Sequence, residues 1–161
     1  MASITSNESN SVPGNGMLTI TRVFDAPRQL VFQAFTDPKH AVKWLGPRHC
    51  PAVHFEADLR PGGSWRGCLR GGEGDEWHGG VYREIVPPER LVYTFAWDNS
   101  DGKPGRETLI TVTFAEHGSK TLMTFSQGVF NTDGDIEGHG EGWNSSFDRL
   151  AEYVDELTGA S

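Results

Sequence analysis

Four polar side chains of this sequence stand in apolar patterns where they could take part in proton transfer: His78, Tyr82, Tyr93 and His139. His139 is the most informative of them, because it precedes Trp143 by one helical turn near the C-terminus. An imidazole in that place could orient a carbonyl group or shuttle a proton, since histidine titrates near neutral pH. The alternative is a partly exposed histidine in the glycine-rich start of a helix, and the flanking Gly138 and Gly140 favour it.

Two groups of residues are of types that bind metal ions. His49, Cys50 and His54 are zinc ligands by type, but their spacing matches no standard zinc pattern and no second cluster completes four ligands. Residues 131–135 resemble the start of a calcium loop. Ile136 replaces the glycine that such a loop requires, and its bidentate glutamate is missing. We therefore expect no metal site.

The glycine-rich segment 138–143 resembles a dinucleotide fingerprint, but Trp143 replaces its last glycine and no βαβ unit surrounds it. The sequence also contains no nucleophile elbow, no P-loop and no close pair of catalytic acids. We expect no cofactor, and the catalytic residues, if any exist, stay unassigned.

Charge and composition exclude several classes of partner. With 14 basic against 22 acidic residues and a net charge of −8, the chain lacks the basic surplus that nucleic acid or an anionic membrane surface requires. No stretch approaches the roughly 18 apolar residues of a membrane helix. The first residues do not form a secretory signal, and we expect the two cysteines, Cys50 and Cys68, to stay separate thiols. These features predict a cytoplasmic protein.

The length of 161 residues and the 36% hydrophobic content suit one domain with a substantial core. Residues 1–16 are rich in Ser, Asn and Gly and have little to bury, so they predict a disordered N-terminal tail. The pattern changes at Met17, and we expect a single domain over residues 17–158.

The first elements of this domain are a strand and two short helices. Alternation predicts a strand from Met17 to Phe24. Asp25 is expected to cap a helix that begins near Pro27. A second short helix is expected over residues 37–44, and the following Gly46-Pro47 pair is expected to end it.

A β-hairpin is predicted next, with strands over residues 52–58 and 63–69. Its turn pairs residue 53 with 69, 55 with 67 and 57 with 65, which places all the apolar partners on one face. On the other face, Cys68 lies opposite His54.

Alternation predicts four further strands, over about 76–86, 91–97, 107–115 and 120–127. Their inward candidates are Leu91, Tyr93, Phe95, Trp97, Ile110, Val112, Phe114, Met123 and Phe125. A helix from residue 136 or 138 to 157 carries an apolar stripe made of His139, Trp143, Phe147, Leu150, Val154 and Leu157. The order predicts an α+β fold, in which a curved antiparallel sheet of about seven strands wraps around a long C-terminal helix, with two short helices after the first strand.

Several short motifs resemble, in order, those of a known family. They are Phe24-Asp25-Ala26-Pro27, Thr36-Asp37-Pro38, Trp44-Leu45-Gly46-Pro47, Arg60-Pro61-Gly62-Gly63, Tyr82-Arg83-Glu84-Ile85-Val86-Pro87-Pro88-Glu89-Arg90-Leu91 and Gly142-Trp143. The chain resembles homologues of the activator of heat-shock protein 90 ATPase, within the START-like (SRPBCC) superfamily. That resemblance implies the helix-grip fold, with a cavity between the sheet and the C-terminal helix that in the superfamily holds hydrophobic molecules.

The residues expected to line this cavity come from both walls. They are Phe55, Trp65, Gly67, Tyr93, Phe95, Trp97, Met123, Phe125, His139, Trp143 and Phe147. Ala57 and Gly67 are small residues on the inner face of the hairpin, so the open space is expected between the hairpin and the helix.

Three functions stay open at this point. The first is non-catalytic binding of a small hydrophobic or amphipathic molecule, the second a polyketide cyclase-like enzyme using the same cavity, and the third a stress-linked or chaperone-associated accessory protein. Assembly as a homodimer is also left open. Contact with the chaperone is not expected, because the eukaryotic co-chaperone makes a principal contact through a separate N-terminal domain, and only residues 1–16 precede the domain here.

Overall fold

The computed structural model describes residues 8–11 and 15–159, which form one antiparallel sheet and three helices. The elements in chain order are β1 Glu8–Ser11, β2 Leu18–Phe24, α1 Arg28–Thr36, α2 Pro38–Trp44, β3 Ala52–Ala57, β4 Ser64–Gly71, β5 Gly74–Val86, β6 Arg90–Trp97, β7 Thr108–His117, β8 Lys120–Gly128 and α3 Asp133–Thr158. Across the sheet the strands run β1-β2-β8-β7-β6-β5-β4-β3. The helix-grip architecture predicted from the sequence is confirmed, with one strand more than expected.

The additional strand is β1, which lies within the predicted disordered tail. Glu8 pairs with Arg22 and Ser11 with Thr19, so β1 extends the sheet beyond β2. Strand pairing satisfies backbone groups and needs no apolar side chain, which is why composition did not reveal it. The prediction of disorder is therefore wrong for residues 8–11, while residues 1–7 and 12–14 of that range lie outside the described chain.

The hairpin of β3 and β4 keeps most of its predicted register. Phe55 pairs with Gly67, Ala57 with Trp65, and His54 with Cys68. The predicted pair of residues 53 and 69 is wrong, because the register shifts between Ala52 and His54 and leaves Val53 44% exposed. A bulge of this kind adds a residue to one strand and turns its side chain out of the pleat.

The two short helices begin in different ways. Pro27 precedes α1 without any capping hydrogen bond from a side chain, so the predicted cap by Asp25 is wrong. Asp37 caps α2, and its Oδ1 accepts a hydrogen bond from the backbone N–H of Lys39 at 3.0 Å. Proline at the start of α2 supplies the helical φ without costing a hydrogen bond.

Helix α3 begins earlier than its apolar pattern predicted. The Thr132 hydroxyl accepts a hydrogen bond from the Asp135 N–H at 3.1 Å and so starts the helix before the glycine-rich segment. Phe147, Leu150 and Val154 are fully buried against the sheet and α1. Leu157, predicted on the same stripe, lies in the last turn of the helix and is 41% exposed. Among the described residues, no helix has the length and hydropathy needed to cross a membrane.

The middle of the sheet forms the other half of the core. Ile110, Val112, Phe114, Met123 and Phe125 are each no more than 1% exposed, which confirms the inward face predicted for β7 and β8. Phe125 contacts Phe147 edge to face at 5.3 Å between ring centroids. The core is therefore densest where the second half of α3 crosses these central strands.

Candidate functional site

A cavity of about 510 Å³ lies between the sheet and the first half of α3. The α2–β3 loop covers it from one side, and β4, β5 and β6 form its floor. Its lining residues are Leu45, Gly46, Pro47, His49, Cys50, Leu69, Glu76, His78, Phe95, Trp97, Gly134, Asp135, Gly138, His139, Glu141, Gly142, Trp143 and Ser146.

Aromatic rings form the inner part of this cavity. Phe95 stacks on His78 at 5.3 Å and meets Trp97 edge to face at 5.2 Å. Trp143 approaches Phe95 from the helix side, 6.3 Å between centroids. These four rings give the cavity flat apolar walls while the space between them stays open.

His139 is held by a hydrogen bond at each ring nitrogen. Its Nδ1 lies 2.9 Å from the carbonyl oxygen of Asp135, and its Nε2 lies 3.1 Å from the indole nitrogen of Trp97. A carbonyl can only accept and an indole N–H can only donate, so the proton of His139 lies on Nδ1 and Nε2 accepts. Both ring nitrogens therefore make hydrogen bonds within the protein, and the imidazole joins the start of α3 to the end of β6.

A buried polar chain holds Trp143 in place. Its indole N–H donates to Gln127 Oε1 at 2.8 Å, and the Gln127 amide donates to the Thr108 hydroxyl at 3.0 Å. That hydroxyl donates in turn to the carbonyl of Phe95. Sequence reasoning missed Gln127, although it is in phase with the inward Met123 and Phe125 on β8. A polar residue at an inward position of a strand was the signal that could have found it.

The loop that covers the cavity is fastened to α3. The backbone N–H of Gly46 donates to the Ser146 hydroxyl at 3.1 Å, and the N–H of Arg48 donates to Ser145 at the same distance. Arg149 donates through one guanidinium nitrogen to the carbonyls of Leu45 and Gly46, each at 2.8 Å. Gly46 has a φ of +89°, and a Cβ there would meet the carbonyl of Cys50. The loop and the helix thus form one wall.

His78 separates the cavity from a smaller space beneath the hairpin. The imidazole is 2% exposed, and burial lowers its pKa to about 4, with the charge of Arg66 acting in the same direction. Its Nδ1 has no hydrogen-bond partner within the described chain. A Cβ at Gly67 would lie 2.8 Å from His78 Nε2, so the space expected above Gly67 is filled by this ring.

The smaller space, about 30 Å³, lies where the sequence led us to expect the opening. Phe55, Trp65, Tyr82 and Tyr93 line it, together with Phe95 and Trp143 from the larger cavity. Burial raises the pKa of the Tyr82 and Tyr93 phenols well above the ordinary value, so both stay protonated. A space of this size holds about one water molecule.

The residues predicted from the sequence therefore separate into three groups. Phe95, Trp97, His139 and Trp143 line the large cavity. Phe55, Trp65 and Tyr93 line the small space. Met123, Phe125 and Phe147 pack in the core, and Gly67 lies beneath His78. The loop residues Leu45, Gly46, Pro47, His49 and Cys50 were not expected at the site, because alternation within strands gives no information on how a loop folds over them. Glu76 on β5 was not expected there either.

The mouth of the cavity carries acidic and thiol groups. The side chains of Glu76, Asp135 and Glu141 are exposed there, and the Cys50 thiol lies 3.9 Å from Glu76 Oε2. Burial and the neighbouring Glu76 raise the pKa of the Cys50 thiol, and burial raises that of Cys68. The two cysteines are unpaired, as predicted. His54 contacts Trp77 rather than Cys50, and the described residues include no group of three or more metal-binding side chains.

A curved sheet that grips a C-terminal helix across a cavity defines a START-like (SRPBCC) protein, which is a ligand-binding fold. Within that class the chain belongs to the family described as activator of Hsp90 ATPase homolog 1-like protein, whose model matches residues 25–155.

Several solved structures share this fold. A protein from Arthrobacter aurescens is 22% identical with a TM-score of 0.82, over 92% of this chain and 91% of that one. The AHSA1 protein from Silicibacter pomeroyi is 23% identical with a TM-score of 0.79, over 88% and 99%. A protein from Chromobacterium violaceum is 27% identical with a TM-score of 0.76, over 87% and 97%. In a comparison with curated proteins, no match was found.

Proposed function

We propose that this protein binds a small hydrophobic or amphipathic molecule, without chemical conversion, in the cavity between the sheet and α3. The observation that carries the proposal is the open volume of about 510 Å³ walled by Phe95, Trp97 and Trp143. Ligand sites in proteins typically enclose about 300 to 1,000 Å³ and are lined by apolar and aromatic side chains with a few polar groups. The cavity has this size and this composition.

The polar groups at the site support binding more than catalysis. His139 uses both nitrogens to hold Asp135 and Trp97, so neither is free to move a proton. Burial keeps His78 uncharged at neutral pH and keeps Tyr82 and Tyr93 protonated. A general acid or base works best when its pKa lies near the working pH, and none of these three shifted groups meets that condition.

Gly142 offers a direct test of the site. It lines the cavity on α3, and a Cβ added there meets no atom within 4 Å. Gly142→Leu should fill part of the cavity without disturbing the core, whereas Gly142→Ala makes the same change of helix propensity with little added bulk. Comparing these two variants separates occupation of the cavity from stabilisation of the helix.

The measurement is native mass spectrometry of the protein purified from its own host, followed by thermal melting with the recovered ligand. We expect the ligand to raise the Tm of the wild type and of Gly142→Ala in a concentration-dependent way. Gly142→Leu should fold and lose that response. Wild-type protein that carries no ligand and responds to no flat polycyclic compound, whether neutral, cationic or anionic, would contradict the proposal.

A cyclase-like enzyme is the second candidate, and one observation favours it. His78 is buried between the two spaces with Nδ1 unpartnered among the described residues, where a reactive chain could reach it. His78→Phe keeps the stacked ring and removes both nitrogens. If the recovered ligand loses water on incubation with the wild type and not with this variant, the enzyme hypothesis replaces the carrier. The open cavity does not favour the third hypothesis, an accessory protein with a filled core.

A further inference from the structure

The charged groups that line the cavity are all acidic. They are Glu76 at the floor side and Asp135 and Glu141 on α3. None of the three forms an ion pair within the part of the chain that the structure describes. The mouth therefore keeps uncompensated negative charge above an aromatic interior.

The basic side chains near this region are already engaged. Arg48 pairs with Glu152, Arg70 with Asp75 and Arg66 with Asp98. The guanidinium of Arg149 donates hydrogen bonds to backbone carbonyls at the end of α2 and in the covering loop. A carboxylate ligand would thus find no free cation among these neighbours, and it would face three carboxylates.

The N-terminus of α3 does not supply a substitute anion site. Thr132 caps it, and Asp133 and Asp135 already place two carboxylates in its first turn. These side chains offset the positive end of the helix dipole. The other titratable groups facing the cavity are the imidazoles of His49, His78 and His139 and the thiol of Cys50.

Inside the mouth, two indole rings line the site. Trp97 and Trp143 line the cavity on opposite walls, one from β6 and one from α3. Indole faces attract organic cations electrostatically, and the attraction is larger where water is excluded. The buried His78 adds a second feature, because it lines the cavity and its Nδ1 has no hydrogen-bond partner within the described chain.

Building on the proposed function, we infer that the cavity selects an amphipathic organic cation, with its apolar body among the rings and its ammonium group at the acidic mouth. The ligand class is thus an amine or quaternary ammonium compound rather than a fatty acid. Charge, and not apolar volume alone, decides which molecules this site retains.

Three probes that share one naphthalene ring system test the inference: naphthylmethylamine, naphthylmethanol and naphthylacetate. We expect isothermal titration calorimetry at pH 7 to show the amine binding about five- to twentyfold more tightly than the alcohol, and the carboxylate most weakly. Added salt should reduce the advantage of the amine, because the carboxylates are exposed.

Matched variants assign this preference to the mouth. Glu141→Gln combined with Glu76→Gln should cut the advantage of the amine about three- to tenfold and leave binding of the alcohol unchanged. The control is Glu137→Gln with Glu73→Gln, which removes the same net charge at two exposed residues that do not line the cavity. This control should keep the advantage.

The outcomes separate the two proposals. If the alcohol and the carboxylate bind as tightly as the amine, the inference fails while binding of hydrophobic molecules stands. If the control reduces the preference as much as the paired variant does, the preference comes from overall net charge and the inference fails again. If none of the three probes binds while the purified protein carries a ligand, the inference alone fails. If none of them binds and the purified protein is also empty, both the proposed function and the inference fail.

Discussion

The two halves of α3 face the same sheet and do different things. The second half buries Phe147, Leu150 and Val154 completely and closes the core. The first half carries Gly134, Gly138, Gly140 and Gly142 among its residues, and three of these four line the cavity. One helix therefore closes the core with its second half and borders the cavity with its first half, because glycine has no side chain to fill the space.

The largest effect should come from truncation in the second half. Phe147→Ala should lower the free energy of unfolding by about 3 to 5 kcal/mol, because the ring is fully buried among Phe24, Trp44 and Phe125. The matched change in the first half is His139→Ala, which removes a half-buried ring with two hydrogen bonds and should cost about 1 kcal/mol. Chemical denaturation measures both. Equal losses would show that the two halves support the fold alike.

His78 lies at the boundary between the cavity and the closed space, so its titration sharpens the same comparison. Its folded pKa of about 4 lies below the ordinary histidine value of 6.5, so the unfolded chain binds the proton more readily. The uncharged imidazole of His78 therefore contributes to the free energy of unfolding by up to about 3 kcal/mol. This contribution is fully present above pH 6.5 and is lost as the pH falls towards 4. The measurement is the free energy of unfolding of wild type and His78→Phe across this range. On acidification the free energy of unfolding of the wild type should fall by up to about 3 kcal/mol relative to that of the variant, which lacks this titration. A constant difference between the two proteins would mean that the imidazole is hydrated in the folded state.

The smallest effect concerns the glycines themselves. Gly138→Ala and Gly142→Ala should each raise the free energy of unfolding by up to about 1 kcal/mol, because a Cβ at either residue meets nothing within 4 Å. Gly140→Ala should gain less, because its Cβ would lie 3.3 Å from Leu18 Cδ1. Thermal melting of the three variants gives the order. A fall in Tm for Gly138→Ala or Gly142→Ala would mean that the glycines do not limit the stability of the first half of the helix.

The sheet and its gripping helix could be predicted because burial leaves a period in the sequence. Val112, Phe114, Met123 and Phe125 alternate as they must on a half-buried strand. The position of the cavity could not be predicted in this way. It depends on His78 turning its ring over Gly67, and on residues 45–50 folding over the strands, neither of which leaves a period. Strand β1 was missed because backbone pairing makes no demand on side-chain type.

The hydrogen bonds that join the covering loop to Ser145, Ser146 and Arg149 have a consequence for the kinetics of binding. A loop tied to a helix at several backbone groups cannot swing aside alone, so it does not act as an independent gate. The exposed mouth beside Glu76, Asp135 and Glu141 offers a route inward that needs no movement of the loop. Under the proposed function, a ligand would associate through this preformed opening, and its residence time would depend on how tightly the rings and the mouth hold it.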